Sequence, residues 1–265
     1  MNVDGFLRHI RACRNAELPG RRRIVRFQGA PVGYIQPATL AQLGLPDDDL
    51  DVPDQETFDR YARTLCTGGA LRFRDEPFDV RDPSGQVVAT LDRGALPLFG
   101  IQALGVHMNG LVDGGNGLSL WIGKRNPNKL LDPGKLDHLV AGGVPAGMSL
   151  EQTLVKEAAE EAGLPASLVA GARWVGEISY DMERPEGLRR DHLACFDLLV
   201  PAEFQPRPVD HEVIGFELWP IERVLATVRD TDLFKFNVNL VLIDLFLRYG
   251  LIESDDLRAA LDGSE

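Results

Sequence analysis

The stretch of sequence from residue 142 to residue 164 reads GGVPAGMSLEQTLVKEAAEEAGL. It begins as a glycine-rich loop and continues as a helix whose two ends are both specified by sequence. Ser149, followed by Gln152 three residues later, is a capping box, and Gly163 supplies the left-handed residue that ends many helices. The sequence therefore predicts a loop that leads into a capped helix ending at Ala162.

Three glutamates lie on one face of this predicted helix. Glu157, Glu160 and Glu161 are spaced i, i+3 and i+4, which places their side chains within about 5–6 Å of one another. Like charges at that spacing destabilise a helix, whereas a hard divalent cation such as Mg²⁺ binds oxygen ligands. A solvated acidic face, in which Lys156 relieves the repulsion at Glu160, explains the pattern equally well. Spacing alone leaves both interpretations open.

The composition narrows the class of protein. With 265 residues, of which 44% are hydrophobic and 26% charged, the chain is typical of globular proteins of one or two domains. A net charge of −12 disfavours binding to nucleic acid. The cysteines, Cys13, Cys66 and Cys195, are odd in number and far apart, which suits a reducing compartment. Because no apolar run approaches the ~20 residues of a membrane span, we expect a cytoplasmic protein.

Hydrophobic patterning divides the chain near Leu96. An amphipathic helix from Asp4 to Ala16 is followed by short strands, including two that flank a turn at residues 83–85. A new apolar run begins after this pattern ends. We predict an N-terminal α/β domain over residues 1–96 and a second domain over residues 97–265.

Hydrophobic periodicity and turn-forming residues predict several further strands and helices. An alternating segment at Leu71 to Arg74 indicates a strand in the first domain. In the second domain we predict strands at residues 101–112, 118–124, 172–180, 192–200 and 213–218, a turn at 113–117, and helices at 221–228 and 236–249.

The glycine loop and glutamate helix resemble the Nudix box, G-x5-E-x7-R-E-U-x-E-E-x-G-U, in which U is a bulky aliphatic residue. Three positions depart from that pattern: Met148 replaces a glutamate, Lys156 an arginine and Ala158 an aliphatic residue. The matching positions are Gly142, Glu157, Glu160, Glu161, Gly163 and Leu164.

The surrounding chain is similar to one branch of that family. This branch comprises thiamine-diphosphate-related Nudix proteins with an extra N-terminal domain, sometimes joined to a thiamine pyrophosphokinase. It shares the lysine before the first box glutamate seen here, and it also lacks the earlier glutamate. The shared stretches are residues 105–110, 120–125, 133–137, 141–143, 156–158, 210–213, 234–237 and 244–250.

This resemblance implies a fold and a metal site. The fold is an α/β one, a Nudix α/β/α sandwich with a mixed central sheet, preceded by the small N-terminal α/β domain. Mg²⁺ or Mn²⁺ would be held by Glu157 and Glu161, by Glu160 as a secondary ligand, and by the main-chain carbonyl of Ala141. Glu212 matches the place of an acidic catalytic residue that the family often supplies from a later loop.

Substrate-binding candidates lie on both sides of the box. His107 and Asn109 are two residues apart on a predicted strand, so both point to one face and could hydrogen-bond a ring, or could instead be satisfied core groups. Tyr180, at a strand end, is a candidate for stacking on an aromatic ring. The candidates for binding phosphate are Arg125, Lys129 and Lys235, although basic side chains in a loop are also commonly just solvated.

The resemblance implies a phosphoanhydride hydrolase with a small-molecule diphosphate as substrate. The favoured substrate is an oxidised or damaged analogue of thiamine diphosphate, hydrolysed to the monophosphate and phosphate. One alternative is hydrolysis of ADP-ribose or another nucleoside diphosphate derivative. A second is a non-catalytic ligand sensor, because Met148 removes one box carboxylate.

Overall fold

The structure, a computed structural model, describes residues 3–115 and 117–263. Asn116, in the predicted turn at 113–117, lies outside the described residues. The elements in chain order are α1 (Asp4–Cys13), β1 (Arg23–Phe27), β2 (Ala30–Ile35), α2 (Pro37–Gln42), β3 (Leu50–Val52), α3 (Gln55–Thr67), β4 (Pro77–Arg81), β5 (Val87–Asp92), α4 (Leu96–Phe99), β6 (Gln102–Asp113), β7 (Leu118–Arg125), β8 (Leu136–Asp137), β9 (Val140–Gly143), α5 (Leu150–Ala162), α6 (Ala166–Val169), β10 (Arg173–Arg184), β11 (Gly187–Leu199), β12 (Val213–Pro220), α7 (Ile221–Asp230), α8 (Phe236–Arg248) and α9 (Asp255–Asp262).

A mixed sheet forms the centre of the molecule. Its strand order is β10-β11-β6-β7-β12, with β8 paired to β7 and β9 paired to β6. Strands β11 and β6 are parallel, and the other pairs are antiparallel. The prediction of a mixed central sheet is confirmed. Strands β10 and β11 extend beyond the predicted ranges, and ion pairs such as Arg190 with Asp181 (2.9 Å) join their charged ends.

Strands β6 and β7 pair with each other over only part of their length. Their register runs from Asp113 opposite Leu118 to Gly110 opposite Trp121. Beyond that point β9 pairs with β6 and β8 pairs with β7, so the chain from residue 136 to residue 143 occupies the fork between them. Gly110 allows this arrangement, because a Cβ at that position would overlap the side chain of Leu139. The fork brings the residues before α5 into the middle of the sheet.

Helices cover both faces of the central sheet. On one face α5 and α6 pack against Val106 and Met108 of β6. On the other face α1, α7, α8 and α9 share a core with Leu111 of β6 and Ile178 of β10. This is the α/β/α sandwich that the sequence predicts.

Helix α1 packs with the second domain, although the sequence places it in the N-terminal domain. Its apolar face packs on α8, and the rings of Phe6 and Phe246 meet edge to face with centroids 6.3 Å apart. The helix begins and ends close to its predicted limits, but its buried side chains belong to the core of the second domain. Periodicity identified the helix without identifying what its apolar face contacts.

The N-terminal unit comprises the chain from β1 to α4. It contains a sheet of order β2-β1-β3, the predicted hairpin of β4 and β5, and a core that runs from Val25 to Ile101. The predicted strand from Leu71 to Arg74 is absent, because the Arg74 amide donates to the Asp92 carboxylate and no strand pairs with this segment. Among the described residues, none of the helices is long and apolar enough to cross a membrane.

Candidate functional site

Helix α5 has the end structures that its sequence specifies. The Ser149 side chain accepts from the Gln152 amide, the Gln152 side chain accepts from the Ser149 amide, and Gly163 ends the helix at φ 64°. Ala158 and Ala162 are fully buried against the sheet. The small alanine side chains let the helix approach the sheet closely and fix the direction of its acidic face.

Glu157 is held against strand β9. A Cβ at Gly142 would overlap the Glu157 side chain, so only glycine leaves room for the carboxylate at this place. The side chain is largely buried, and this burial raises the pKa of Glu157, although the ammonium of Lys156, 3.1 Å away, opposes the shift. The glycine at position 142 of the Nudix-like loop is thus required because any larger residue would overlap Glu157.

Glu161 is a buried carboxylate without a cation. Only 5% of the residue is exposed, and its carboxylate accepts a hydrogen bond from the Ala141 amide at 2.9 Å. Within residues 3–115 and 117–263 it makes no ion pair. Burial raises the pKa of Glu161 well above its ordinary value, and the negative charge of Asp137 adds to the shift. A bound cation would remove this electrostatic penalty.

Glu160 is the exposed member of the three glutamates. Its side chain is 50% exposed and accepts from Lys156 Nζ at 2.7 Å, four residues earlier on the helix. The solvated interpretation of the acidic face therefore describes Glu160, whereas Glu157 and Glu161 are turned towards β9.

A loop brings Glu212 to the same region. The Asp210 amide donates to the Glu160 carbonyl at 2.9 Å, which anchors the loop on the end of α5. Lys129 forms an ion pair with Glu212, so this predicted phosphate-binding lysine is already engaged with a carboxylate. Burial would raise the pKa of Glu212, but Lys129, Arg93 and Arg125 together lower it. The pKa of Glu157 is raised mainly by burial, and the negative charge of Glu212 adds to the shift.

Beside Glu161, the fork between β6 and β7 contains a buried ion cluster around Asp137. Arg125 donates to the Asp137 carboxylate at 2.6 Å, and the ammonium of Lys235 lies 3.9 Å from the same oxygen. Arg125 also donates to the carbonyls of Leu131 and Asp132. The Arg125 guanidinium is buried and donates to the Asp137 carboxylate and to two carbonyls, and its predicted role in binding phosphate stays a prediction. The side chain of Lys235 is 11% exposed.

Two histidines lie next to this cluster. The rings of His107 and His138 are perpendicular, with centroids 5.0 Å apart. Burial lowers the pKa of His138 to about 4 and that of His107 well below its ordinary value, so both rings are neutral near pH 7. In the described part of the chain, His107 Nδ1 and His138 Nε2 have no hydrogen-bond partner.

Asn109 occupies the same face of β6 as His107. Its amide donates to Asp197 at 2.9 Å on the neighbouring strand, and Asp197 also pairs with Arg248. The Asn109 amide oxygen lacks a partner among the described residues. The amide nitrogen of Asn109 is thus satisfied within the core, and its amide oxygen can still accept a hydrogen bond.

Tyr180 is a core residue, which contradicts its predicted stacking role. It is 3% exposed, and its ring meets Phe236 edge to face at 5.9 Å. Its hydroxyl donates to Asp191 and accepts from the Asn237 amide. With both faces covered by protein, the ring offers no surface for a ligand.

The acidic residues near α5 fit a divalent cation that is shared with a substrate. Among the described residues, no group of three or more His, Cys, Asp or Glu side chains is arranged to hold a metal ion unaided. Mg²⁺ commonly binds through one or two carboxylates, with substrate phosphates and water completing its shell. Glu157, in the space that Gly142 leaves, and the cation-free Glu161 are two such carboxylates.

The fold and the glutamate helix together define a Nudix-type α/β/α protein, and comparison with known families agrees. The NUDIX domain model matches residues 105–238, which is about half of the chain and includes β6, α5 and the Glu212 loop. The chain therefore belongs to the Nudix family.

Named relatives and a solved structure are similar to this chain. It is 43% identical to Nudix hydrolase 20, chloroplastic, of Arabidopsis thaliana over 69% of its own length and 49% of that protein. It is 44% identical to Nudix hydrolase 24, chloroplastic, of the same plant, over 78% of its length and 58% of that protein. The chain thus spans about half the length of these curated relatives.

The crystal structure of DR0079 from Deinococcus radiodurans superposes with a TM-score of 0.50 at 23% sequence identity. The match covers 63% of this chain and 97% of that one. At this identity the similarity concerns the fold, and it agrees with the sandwich described above.

Proposed function

We propose that this protein hydrolyses the pyrophosphate bond of a small-molecule diphosphate with the help of Mg²⁺ or Mn²⁺. The observation that carries the proposal is Glu161, a buried carboxylate that has an amide donor but no basic side chain paired with it among the described residues, beside a second, largely buried carboxylate at Glu157. Membership of the Nudix family and the names of the relatives support the reaction class.

The residues around α5 divide the work of such a reaction. Glu157 and Glu161 would hold the ion together with the carbonyl of Ala141, and Glu160 would contact it through water. A divalent cation supplies Lewis acidity towards a phosphoryl oxygen. Glu212, kept ionised by Lys129, would accept a proton as a water oxygen bonds to phosphorus and the bridging P–O bond breaks. The products are the monophosphate and orthophosphate.

For the substrate we propose an oxidised or damaged analogue of thiamine diphosphate. Support comes from the resemblance of the chain to the thiamine-related branch. Among the described residues, His107 Nδ1 and the Asn109 amide oxygen have no hydrogen-bond partner, and His107 is opposite Ala141 in the sheet. Both side chains are buried, so a substrate ring reaches these atoms only when the groups that cover them move. A ring that hydrogen-bonds them would then gain about 1–3 kcal/mol for each group otherwise left unsatisfied.

We also propose a reducing compartment, with the cytoplasm as the expected one. The thiols of Cys13, Cys66 and Cys195 are all free. Burial raises the pKa of Cys13 to about 12, which keeps this thiol protonated and unreactive.

A phosphate-release screen tests the proposed reaction and substrate. The purified protein, with Mg²⁺ or Mn²⁺ and in parallel with EDTA, is assayed against thiamine diphosphate, its oxygen-substituted analogues, ADP-ribose, NADH and nucleotide sugars. We expect metal-dependent turnover, with the highest kcat/KM for an oxidised thiamine diphosphate. Highest kcat/KM for ADP-ribose or a dinucleotide would overturn the substrate proposal and leave the reaction class intact. Binding of a diphosphate without any turnover would favour the sensor alternative.

A further inference from the structure

The β4–β5 hairpin of the N-terminal unit lies directly against the glycine loop that precedes α5. The Ala146 amide donates to the carbonyl of Pro77 at 2.8 Å. A Cβ at Gly143 would lie 2.5 Å from the ring of Phe78, so glycine at this position is what admits the hairpin. Gly142 makes room for Glu157, and Gly143 makes room for the N-terminal unit. The hairpin therefore packs directly against the strand that also carries Gly142.

Arg93 extends from the end of this hairpin towards the same loop. Its guanidinium carbon lies 5.5 Å from the centroid of the Phe78 ring and 3.5 Å from the Cβ position of Gly143. The stacking on Phe78 fixes the direction of a side chain that is otherwise 49% exposed. Arg93 is thus held at the surface next to the loop and is not buried in a structural pair.

The positive charge of Arg93 affects the pKa of Glu212. Burial opposes ionisation of Glu212, and after Lys129 the positive charge of Arg93 is the next influence that lowers the pKa of this carboxylate. The described ion-pair partner of Arg93 is Glu76, whose carboxylate is 2.9 Å away and partly exposed. Such a solvent-accessible pair contributes little to stability, so exchange of its carboxylate for a phosphate costs little.

We propose that Arg93 is a substrate-binding residue, supplied by the N-terminal unit, which contacts a phosphate of the diphosphate beside Gly143. A planar guanidinium binds two phosphate oxygens at once, which an ammonium cannot do. This assignment rests on the proposed diphosphate chemistry. It also gives the N-terminal unit a part in binding the substrate, because Arg93 belongs to that unit and lies against Gly143.

Steady-state kinetics with matched variants test the assignment. The substrate is the diphosphate of the screen with the highest kcat/KM, and methylenediphosphonate with Mg²⁺ serves as a non-hydrolysable probe in calorimetry. Arg93→Ala is compared with Arg93→Lys and with the control Arg81→Ala. Arg81 is on the same hairpin, where it pairs with Asp79 at 2.8 Å and donates to the carbonyl of Gly85 in the turn.

We expect Arg93→Ala to raise KM at least ~10-fold, to change kcat less than ~3-fold, and to weaken methylenediphosphonate binding by a similar factor. Arg93→Lys should recover part of the loss, because it restores the charge without the two-pronged geometry. Arg81→Ala should match the wild type in all three quantities. Thermal melting of each variant shows whether it is folded.

Two results would overturn the assignment, and they are distinguishable. If the wild type is active and binds methylenediphosphonate but Arg93→Ala leaves KM and binding unchanged, Arg93 does not contact the substrate and the proposed function stands. If the wild type neither turns over a diphosphate nor binds methylenediphosphonate, the proposed function fails and this assignment fails with it.

Discussion

Asp137 and Glu161 are both buried carboxylates, and they lie near enough for their charges to interact. Asp137 has Arg125 and Lys235 beside it and accepts from the His138 amide. Although burial disfavours its charge, Lys235 and Arg125 hold the pKa of Asp137 far below its ordinary value. Glu161 has one amide donor and no cation, and burial raises its pKa.

The contrast separates a structural carboxylate from one that is suited to a ligand. A buried charge is stable when oppositely charged groups and hydrogen bonds compensate it, and Asp137 meets that condition with protein groups alone. Glu161 does not, and a bound cation is the partner that would complete it. A candidate ion ligand is therefore a buried acidic side chain whose charge is not compensated by basic groups of the protein.

The largest expected effect is on stability and comes from Asp137→Asn. This variant leaves Arg125 and Lys235 buried without a counter-charge and points an amide NH₂ at one of them. Removal of one partner from a buried ion pair destabilises a protein by about 3–5 kcal/mol. Urea denaturation at pH 7 measures the change in the free energy of unfolding.

Asp47→Asn is the matched control for this measurement. Asp47 pairs with Arg23 at 2.9 Å, but both side chains are exposed to solvent, so the expected loss is about 0–1 kcal/mol. Equal losses in the two variants would mean that the Asp137 cluster is hydrated in solution, and the contrast with Glu161 would disappear.

Sequence reasoning found Glu161 but did not assign a role to Asp137 or His138. Helical spacing places Glu161 on a defined face within one element, and the capping box fixes where that element begins. The partners of Asp137 come from β7 and from the start of α8, which only the tertiary fold brings together. For the same reason the sequence predicted helix α1 but not its packing on α8, and it predicted Tyr180 at a strand end but not its burial.

The next largest effect is on activity and comes from Glu161→Gln. We expect kcat to fall at least ~10²-fold, because the variant loses a charged ligand for the ion. The free energy of unfolding without metal should be unchanged or higher, because the glutamine can still accept from the Ala141 amide and carries no buried charge. Phosphate release and urea denaturation measure the two quantities.

Glu160→Gln is the control, since Glu160 is on the same helix but is exposed and paired with Lys156. We expect it to keep activity within about 10-fold of the wild type. Loss of activity in Glu161→Gln through unfolding alone would contradict the ion-binding role.

A smaller effect is expected from Gly142→Ala, which disturbs Glu157 without changing any charge. The added methyl group would overlap the Glu157 side chain and displace it from β9. We expect a ~10-fold weaker apparent affinity for Mg²⁺, because residues that only orient a ligand typically contribute 10–100-fold. Gly215→Ala is the control, because a Cβ at this position would meet open space and the φ of Gly215 lies outside the left-handed region. Gly147→Ala is less suitable, because Gly147 has a φ of 76°, which is strained for alanine. Unchanged Mg²⁺ dependence in Gly142→Ala would show that Glu157 is not placed by this glycine.

The smallest expected effect is on the pH dependence of the free energy of unfolding, to which Glu161 and Asp137 contribute with opposite signs. In the metal-free protein the pKa of Glu161 is raised by folding, so above about pH 4.3 the unfolded state loses this proton while the folded state keeps it. Stability then falls as pH rises until the folded pKa is passed, and the advantage of Glu161→Gln over the wild type should grow over the same range.

The pKa of Asp137 is lowered by folding, so the stability that this carboxylate contributes is present above about pH 3.9 and is lost as pH falls through its folded pKa. Paired urea titrations of wild type, Glu161→Gln and Asp137→Asn measure both slopes, the Glu161 slope from about pH 4 to pH 8 and the Asp137 slope from about pH 4 down to about pH 2. Saturating Mg²⁺ should flatten the Glu161 slope, because an ion binds the ionised carboxylate, and should leave the Asp137 slope unchanged. A stability difference between Glu161→Gln and the wild type that stays constant from about pH 4 to pH 8 would mean that Glu161 is already compensated in solution, and the distinction between the two carboxylates would then rest on geometry alone.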